Sequence, residues 1–355
     1  MEKDKSKIKT SIGGQALIEG IMMRGPKKTS MAVRRPDGEI VLETGDTVFT
    51  GGKIKKIPLV RGIFSFVDSM ITGYKSLMRS AELAFPEELV EKNGEADAGE
   101  NADMTSYTDK PEPADEEKPA KKSKNSKKDD TITEGEMTAV MITGVVLGFA
   151  LAIFLFKFLP EGIYGLLSRF IPALKGNSYG NSLLRAAITG IVKIIILVGY
   201  MAAVSLMKDI RRTFMYHGAE HKSIFCYEHG LELTVDNVKM QSRFHPRCGT
   251  SFLVLSVLVS ILVNMFIPNE IIAGGGILNT LARTGIGLLL LPVTMGFGYE
   301  LIRIAGRHDN RITRIISAPG MWLQHITTKE PTPDMIECAI AALREVIPDD
   351  GSDYI

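Results

Sequence analysis

Four long apolar runs constrain this chain more than any other feature. They cover about Met137–Leu159, Leu183–Met207, Ser251–Ile267 and Thr284–Ile304. A helix needs roughly 20 apolar residues to cross about 30 Å of hydrocarbon, and each run approaches or exceeds that length. The last run contains Pro292, which a membrane helix tolerates when its neighbours satisfy the freed backbone groups. Buried helices of a large soluble core are the alternative, but four such runs in one chain favour a polytopic membrane protein.

The distribution of basic residues predicts the orientation of these helices. The second connection and the segment after the last run are rich in Lys and Arg, whereas the other two connections hold few. Basic connections stay on the cytoplasmic side, so we expect both termini and the second connection in the cytoplasm. The basic residues of the second connection are Lys208, Arg211, Arg212, Lys222, Lys239, Arg243 and Arg247.

The predicted fold is mainly α, with four transmembrane helices and cytoplasmic α+β elements. From Lys92 to Thr131 the chain has no Ile, Leu, Val, Phe or Trp, so it buries too little apolar surface to offset its ordering entropy. The predicted regions are an N-terminal region at 1–85, a disordered charged linker at 86–136, two transmembrane helices at 137–207, a His/Cys segment at 208–250, two further transmembrane helices at 251–304 and C-terminal helices at 305–355.

The cytoplasmic regions contain three recognisable elements. Pro36-Asp37-Gly38 favours a hairpin turn between two short strands. Pro58 begins an amphipathic helix, which we expect either in the membrane interface or packed on the spanning helices. Thr332 and Pro333 mark the start of a terminal helix. The apolar face predicted for the amphipathic helix consists of Val60, Phe64, Val67, Ile71, Tyr74 and Met78.

The second connection carries the residues with the most chemical potential. His217-Gly218-Ala219-Glu220-His221 lies on what we expect to be a continuation of the second spanning helix. Two histidines four residues apart share one helix face and can share one ion. Glu220 is then placed to act as a general base or to orient a ligand. The pattern matches the H-x-x-E-H arrangement of zinc peptidases, which also need a third ligand.

A second element supplies possible further ligands. His245-Pro246-Arg247-Cys248-Gly249 is similar to a zinc-ribbon knuckle whose first cysteine is replaced by histidine, and Gly249 offers the positive φ that such a turn often needs. Gly230 can end the first helix and Thr234 can cap a short second one, which would let the ligands converge. The predicted ligands of a zinc ion or another divalent metal are His217, His221, His245 and Cys248. Four ligands would make the ion structural, and three would leave a place for water. Hydrogen-bonded histidines and a buried thiol are the plain alternative.

Three weaker candidates complete the set. The Gly-rich segment from Gly13 to Arg24 lacks the lysine and hydroxyl of a phosphate-binding loop, so we expect a tight structural segment, with Glu19 or Arg24 reaching the cytoplasmic site as the alternative. Lys193 stands near the middle of the second run, where a charge suggests either function or a lysine that snorkels to the interface. Glu300 and Arg303 are three apart and expected to pair.

The chain resembles the YqhQ-like bacterial membrane proteins, a family catalogued as a domain of unknown function. The resemblance is carried by GGQALIEGIMMRGP (13–26), YHGAEHKSIFCYE (216–228), HPRCGTSF (245–252), YELIRIAGR (299–307) and PGMWLQHITTKEP (319–331). Members of this family have been described as predicted metal-dependent enzymes. The resemblance implies a bacterial inner-membrane protein and a metal at the histidine and cysteine positions.

These observations leave several functions open. A membrane-bound, metal-dependent hydrolase would use Glu220 as its base and act on a peptide or a lipid-linked group. A scaffold for membrane-protein assembly or a translation-linked partner would use the metal only to hold its cytoplasmic region and would bind a protein there. Transport gains support only from Lys193. The net charge of +1 lacks the basic excess of a nucleic-acid binder.

Overall fold

The computed structural model describes residues 8–48, 57–85, 134–176, 178–268, 270–272, 276–308 and 310–355. The predicted disordered linker lies outside these residues, except for the start of a helix at 134. Contacts divide the chain into two units, one formed by Met1–Phe85 with Leu151–Ile355 and the other by Pro86–Ala150. Of the second unit, the described part is helical from Glu134.

The N-terminal region forms an antiparallel sheet in which each strand pairs with the next. The hairpin predicted around Pro36-Asp37-Gly38 is confirmed: Gly38 has a φ of +89°, and Asp37 Oδ1 accepts the Glu39 N–H at 2.9 Å. The two preceding strands were not predicted, because neither shows the alternation that marks a half-exposed strand and the second is buried along almost its whole length. The strands are β1 (Gly13–Leu17), β2 (Gly20–Arg24), β3 (Lys28–Arg34) and β4 (Ile40–Asp46).

Eleven α-helices account for most of the remaining described residues. A π-helical turn, Phe154–Phe158, joins the second helix to the third. The helices are α1 (Val60–Ala84), α2 (Glu134–Ile153), α3 (Leu159–Phe170), α4 (Tyr179–Val204), α5 (Lys208–Glu228), α6 (Val235–Lys239), α7 (Gly249–Met265), α8 (Gly276–Leu289), α9 (Leu291–Arg307), α10 (Arg311–Thr327) and α11 (Pro333–Val346).

The helix lengths support two membrane spans, or three, rather than a clear four. Thr143–Phe170 and Tyr179–Val204 are long and apolar enough to cross a bilayer. The predicted fourth span is divided between α8 and α9, which meet at a bend of 42°, and this pair counts as a third span if it crosses as one unit. The predicted third span forms α7, which has only 17 residues. Exposed apolar side chains on the first span, such as Val145 and Phe149, agree with insertion into lipid.

The second spanning helix does not continue into the histidine segment, contrary to the sequence expectation. It ends at Val204, and Met207 is extended with a ψ of 133° before α5 begins. The Ser205 hydroxyl donates to the Ala202 carbonyl at 2.7 Å and so competes for a group that a continuing helix would use. Asp209 lies in the first turn of α5, where the helix dipole favours an acidic side chain. The histidines therefore stand on a separately oriented helix.

The amphipathic helix α1 is confirmed, and its apolar face points outward. Most of its buried positions are small or polar, among them Gly62, Asp68 and Gly73, whereas Leu83 near its C-terminal end packs in an apolar cluster with the sheet. Gly62 lies against Gly296 and Tyr299 of α9, so the absence of a side chain at Gly62 lets α1 pack closely on this helix. An outward apolar face with a polar inner face is the arrangement expected of a helix in a membrane interface. The exposed apolar residues of α1 are Val67, Met70, Ile71, Tyr74, Leu77 and Met78.

The predicted pairing of Glu300 with Arg303 is wrong. Both Glu300 carboxylate oxygens accept hydrogen bonds from the Arg61 guanidinium, and this bidentate pair joins α1 to α9. A neighbour on another helix can align two planar groups, which a partner three residues along the same helix does less well.

A compact apolar core joins the sheet to α5 and α11. The terminal helix begins at Pro333, as predicted, but the Thr332 hydroxyl makes no hydrogen bond within the described residues, so the expected side-chain cap is absent. Cys226 and Cys338 lie in this core, and burial raises the pKa of each thiol to about 11. The largest core side chains here are Ile21, Met23, Tyr216, Met335, Ile336 and Leu343.

Truncation of this core should destabilise the region formed by the sheet, α5 and α11. Leu343 is completely buried, so Leu343→Ala should cost about 2–5 kcal/mol and lower the melting temperature of the detergent-solubilised protein. Met240 is 84% exposed, and Met240→Ala serves as the control, with an expected change within about 0.5 kcal/mol. Equal melting temperatures for Leu343→Ala and the wild type would contradict the described core.

Candidate metal centre

Three of the predicted ligands converge at one point. One donor atom each from His217, His221 and Cys248 lies within 4.8 Å of the other two. The histidines are one turn apart on α5, as their spacing predicted, and Cys248 is the N-cap residue of α7. His217 is partly exposed, whereas His221 and Cys248 are buried. This cluster can hold a metal ion.

Two backbone carbonyls orient the imidazole rings. His217 Nδ1 lies 2.8 Å from the Thr327 carbonyl oxygen, and His221 Nδ1 lies 2.5 Å from that of Arg243. A ring that donates its Nδ1 proton in this way keeps an unprotonated Nε2, which is the usual state of a metal-ligating histidine. His221 Nε2 is buried and has no hydrogen-bond partner in the part of the chain that the structure describes. An orphaned buried nitrogen of this kind fits a metal ligand.

Cys248 provides an anionic third donor. Its Sγ lies 3.1 Å from His217 Nε2 and 3.4 Å from the backbone nitrogen of Thr250, which donates to it. Burial alone would raise the pKa of this thiol, but the charges of the His217 and His221 rings and the hydrogen bond with His217 hold it well below its usual range. The N-terminus of α7 favours the same ionised state. Burial opposes the charged form of His217, yet the neighbouring sulfur raises the pKa of this histidine to about 9.

Glu220 lies beside the three donors. Burial raises the pKa of this carboxyl, while the rings of His217 and His221 act in the opposite direction. Its Oε1 accepts the Gly14 N–H at 3.1 Å, so strand β1 positions the side chain. A Cβ at Gly14 would meet the Met22 carbonyl oxygen at 2.6 Å, which explains why glycine occupies this close approach. The Gly-rich segment therefore reaches the site through a backbone amide, and not through the Glu19 or Arg24 side chains that sequence analysis considered.

His245, the fourth predicted ligand, stands next to the cluster but has other partners. Its ring centre is 5.6 Å from that of His221. Its Nε2 lies 3.6 Å from Glu228 Oε2, and its Nδ1 accepts the Arg247 N–H at 3.3 Å. Burial lowers the pKa of His245 to about 4, so the ring is neutral. Both ring nitrogens are thus engaged away from the three donors.

The knuckle containing His245 and Cys248 is fixed by groups that sequence analysis did not select. Gln324 of α10 accepts the His245 N–H at 2.8 Å and donates to the His245 carbonyl at 2.7 Å. The Arg247 guanidinium donates to Glu228. Gly249 begins α7 and is not at positive φ, contrary to the expectation. Gly230 has a φ of +65° and directly follows the C-cap residue of α5, so it ends this helix as predicted. Thr234 caps α6 by accepting the Asn237 N–H.

No local sequence signal pointed to the residues that orient the site, because they act through backbone carbonyls or a single side-chain amide. These residues are Arg243, Gln324 and Thr327. The only pointer to two of them was the resemblance of the stretch 319–331. Gly218 is a further case: a Cβ there would overlap the Lys329 carbonyl oxygen, so the glycine inside the histidine motif lets α5 approach the segment after α10.

The comparisons with known proteins agree with the sequence resemblance. Residues 57–349 match the family described as "Protein of unknown function (DUF1385)". The protein belongs to this family. It is 29% identical over 351 residues to a curated protein of Bacillus subtilis (strain 168) named "Uncharacterized protein YqhQ", covering 97% of this chain and 94% of that protein. No solved structure matches the chain. Neither description states a reaction, so any inference about the chemistry rests on the side chains of the site.

The three-ligand arrangement predicts which variants lose metal. His221→Ala and Cys248→Ala should each reduce metal bound to the purified protein by more than about tenfold, since even outer partners of a ligand contribute about 10–100-fold in affinity. His245→Gln should retain it. Metal-to-protein ratios by elemental mass spectrometry provide the measurement, with exposed His308→Ala as the control. Complete metal loss in His245→Gln, with the melting temperature unchanged, would instead identify a four-ligand site.

Proposed function

We propose that this protein is a membrane-inserted, metal-dependent hydrolase, with His217, His221 and Cys248 as ligands and Glu220 as general base. The observation that carries the proposal is the convergence of three donor atoms, two of them on histidine rings that backbone carbonyls hold in place. Both Nδ1 atoms bond to carbonyls, and His221 Nε2 has no hydrogen-bond partner among the described residues. Zinc is the metal that best fits a set of two imidazoles and one thiolate.

The metal would supply the activation of water. A divalent ion with three protein ligands keeps a position for a water molecule and lowers that molecule's pKa to about 7. The charge of the site supports a divalent ion: Cys248 favours its thiolate, and an ion on His217 Nε2 would replace the proton that otherwise balances this buried sulfur. Buried charge requires compensation.

Glu220 would act first as general base and then as general acid. Gly14 holds Oε1, which leaves Oε2 to accept a proton from the attacking water. The water oxygen would bond to the substrate carbonyl carbon, the bond from that carbon to the leaving nitrogen or oxygen would break, and Glu220 would return the proton to the leaving atom. All atoms and charges balance without a further reactant.

The position of the site supports a substrate presented at a membrane surface. Cys248 directly precedes apolar α7, and α1 turns an apolar face outward. A peptide or a lipid-linked ester at the cytoplasmic face of a bacterial inner membrane is the substrate class that suits these surroundings. The basic second connection supports the cytoplasmic orientation.

A non-catalytic metal is the second candidate, and burial favours it. His221 is 1% exposed, and Glu220 and Cys248 are each 6% exposed, which suits an ion that holds α5 to α7. The protein would then act as a scaffold whose cytoplasmic surface binds a protein partner. Transport is not favoured by the geometry of this site.

An isosteric change at Glu220 separates these functions. Glu220→Gln should keep the metal and the melting temperature of the wild type but lose activity by about 10²-fold or more, the usual contribution of a general base. Untargeted comparison of membrane peptides and lipids should show the same accumulating compound in cells with Glu220→Gln as in cells without the protein. Exposed Glu232→Gln is the control and should match the wild type.

The scaffold makes the opposite prediction for the same cells. Glu220→Gln would then behave as the wild type, while metal-deficient His221→Ala would behave as the deletion. That pair of outcomes would contradict the hydrolase and support the structural metal.

A further inference from the structure

A group of charged side chains lies on the apolar helices, away from the metal centre. Arg283 of α8 donates to the carbonyls of Ile267 and Pro268, just beyond the end of α7. Cys248 is at the other end of α7, and 17 residues of helix extend about 25 Å. The two groups are therefore separated by roughly the thickness of the hydrocarbon layer.

The charges in this group do not balance. Glu161 Oε2 accepts hydrogen bonds from Arg185 Nε at 2.9 Å and from its terminal nitrogen at 2.7 Å, so these two neutralise each other. Lys157, Lys193 and Arg283 remain. Within the described residues, none of these three has an ion-pair partner at contact distance. Arg283 is 5% exposed, and its Nε is buried without a hydrogen-bond partner.

The remaining cations face one region. The Lys157 ammonium lies 3.5 Å from the position that a Cβ on Gly287 would occupy. Gly287 is one turn after Arg283 on the same face of α8. Lys157 is within electrostatic range of Lys193, Arg283, Arg185 and Glu161, and Lys193 is within range of Arg283 and Glu161. Lys157 also lies in the π-helical turn Phe154–Phe158, a distortion that is frequent at functional sites.

Uncompensated cations in an apolar environment are costly and usually functional. Lys193 is residue 15 of the 26 in α4, about 21 Å from its start and 16 Å from its end at the α-helical rise. An anion delivered within the bilayer would compensate the charge.

We propose that Lys157, Lys193 and Arg283 bind the phosphate head group of a membrane lipid. Three cations exceed what one carboxylate can balance, whereas a phosphomonoester carries about −1.5 to −2 at neutral pH. Lysine and arginine are the side chains that bind phosphate. A lipid is the source because the cations stand on helices that cross the apolar layer. The site is at the end of α7 opposite the metal centre and does not depend on the hydrolase proposal.

Lipid titration of the purified full-length protein tests the proposal. The protein is delipidated, placed in phosphatidylcholine nanodiscs and titrated with phosphatidic acid, with binding followed by native mass spectrometry. The wild type should bind phosphatidic acid in preference to phosphatidylcholine. The double variant Lys157→Met/Lys193→Met should bind it at least tenfold more weakly. Arg169→Met removes an exposed cation from the end of α3 and should bind as the wild type does.

Further outcomes keep the test decisive. If the double variant does not fold, Lys157→Gln and Lys193→Gln are measured singly, and each should weaken binding several-fold. Metal content of the lysine variants should equal that of the wild type, so failure here is distinguishable from failure at the metal centre. Equal phosphatidic acid affinity in the variants and the wild type would overturn the proposal. Inorganic phosphate binding as tightly as phosphatidic acid would overturn the lipid source and identify a soluble phosphate.

Discussion

The carbonyls of Thr327 and Arg243 fix the arrangement on which the metal centre depends. Each accepts the Nδ1 proton of one histidine on α5, so each ring presents its Nε2 towards the same place. Without these two acceptors the rings could rotate or change tautomer, and the helical spacing of the histidines would not bring the right atoms together. The same constraint explains Gly218, since a side chain there would push α5 away from the segment that follows Thr327.

The surroundings of the centre tolerate charge only because each charge has a defined partner. The Cys248 thiolate lies at a helix N-terminus next to two imidazoles, and the Glu220 carboxylate accepts a backbone amide from β1. A short distance away, Glu228 is also buried, and burial would raise its pKa, but His245 and Arg247 hold that pKa at about 2. This second group anchors the knuckle without taking part in the cluster. The group around Glu228 thus positions the knuckle, and the adjacent cluster provides the candidate metal ligands.

Local signals predicted part of this arrangement correctly. The spacing of His217 and His221, the hairpin turn at Gly38, the start of α1 near Pro58 and the cap at Thr234 all depend on neighbours within four residues. The remaining features depend on distant parts of the chain. His245 was predicted as a ligand from a two-residue spacer, but its ring is engaged by Glu228, 17 residues earlier. Glu300 was paired within its own helix, whereas Arg61 approaches from α1. The apolar runs were visible as composition, but the bend between α8 and α9 and the shortness of α7 are properties of backbone geometry.

X-ray absorption spectroscopy of the zinc-loaded, detergent-solubilised protein tests the central claim most directly, because it reports the atoms bonded to the ion. A centre formed by His217, His221 and Cys248 predicts one sulfur at about 2.3 Å and two imidazole nitrogens at about 2.0–2.1 Å, with one further light atom. The sulfur signal should disappear in Cys248→Ala and persist in Cys226→Ala. A first shell of oxygen and nitrogen alone in the wild type would contradict the account.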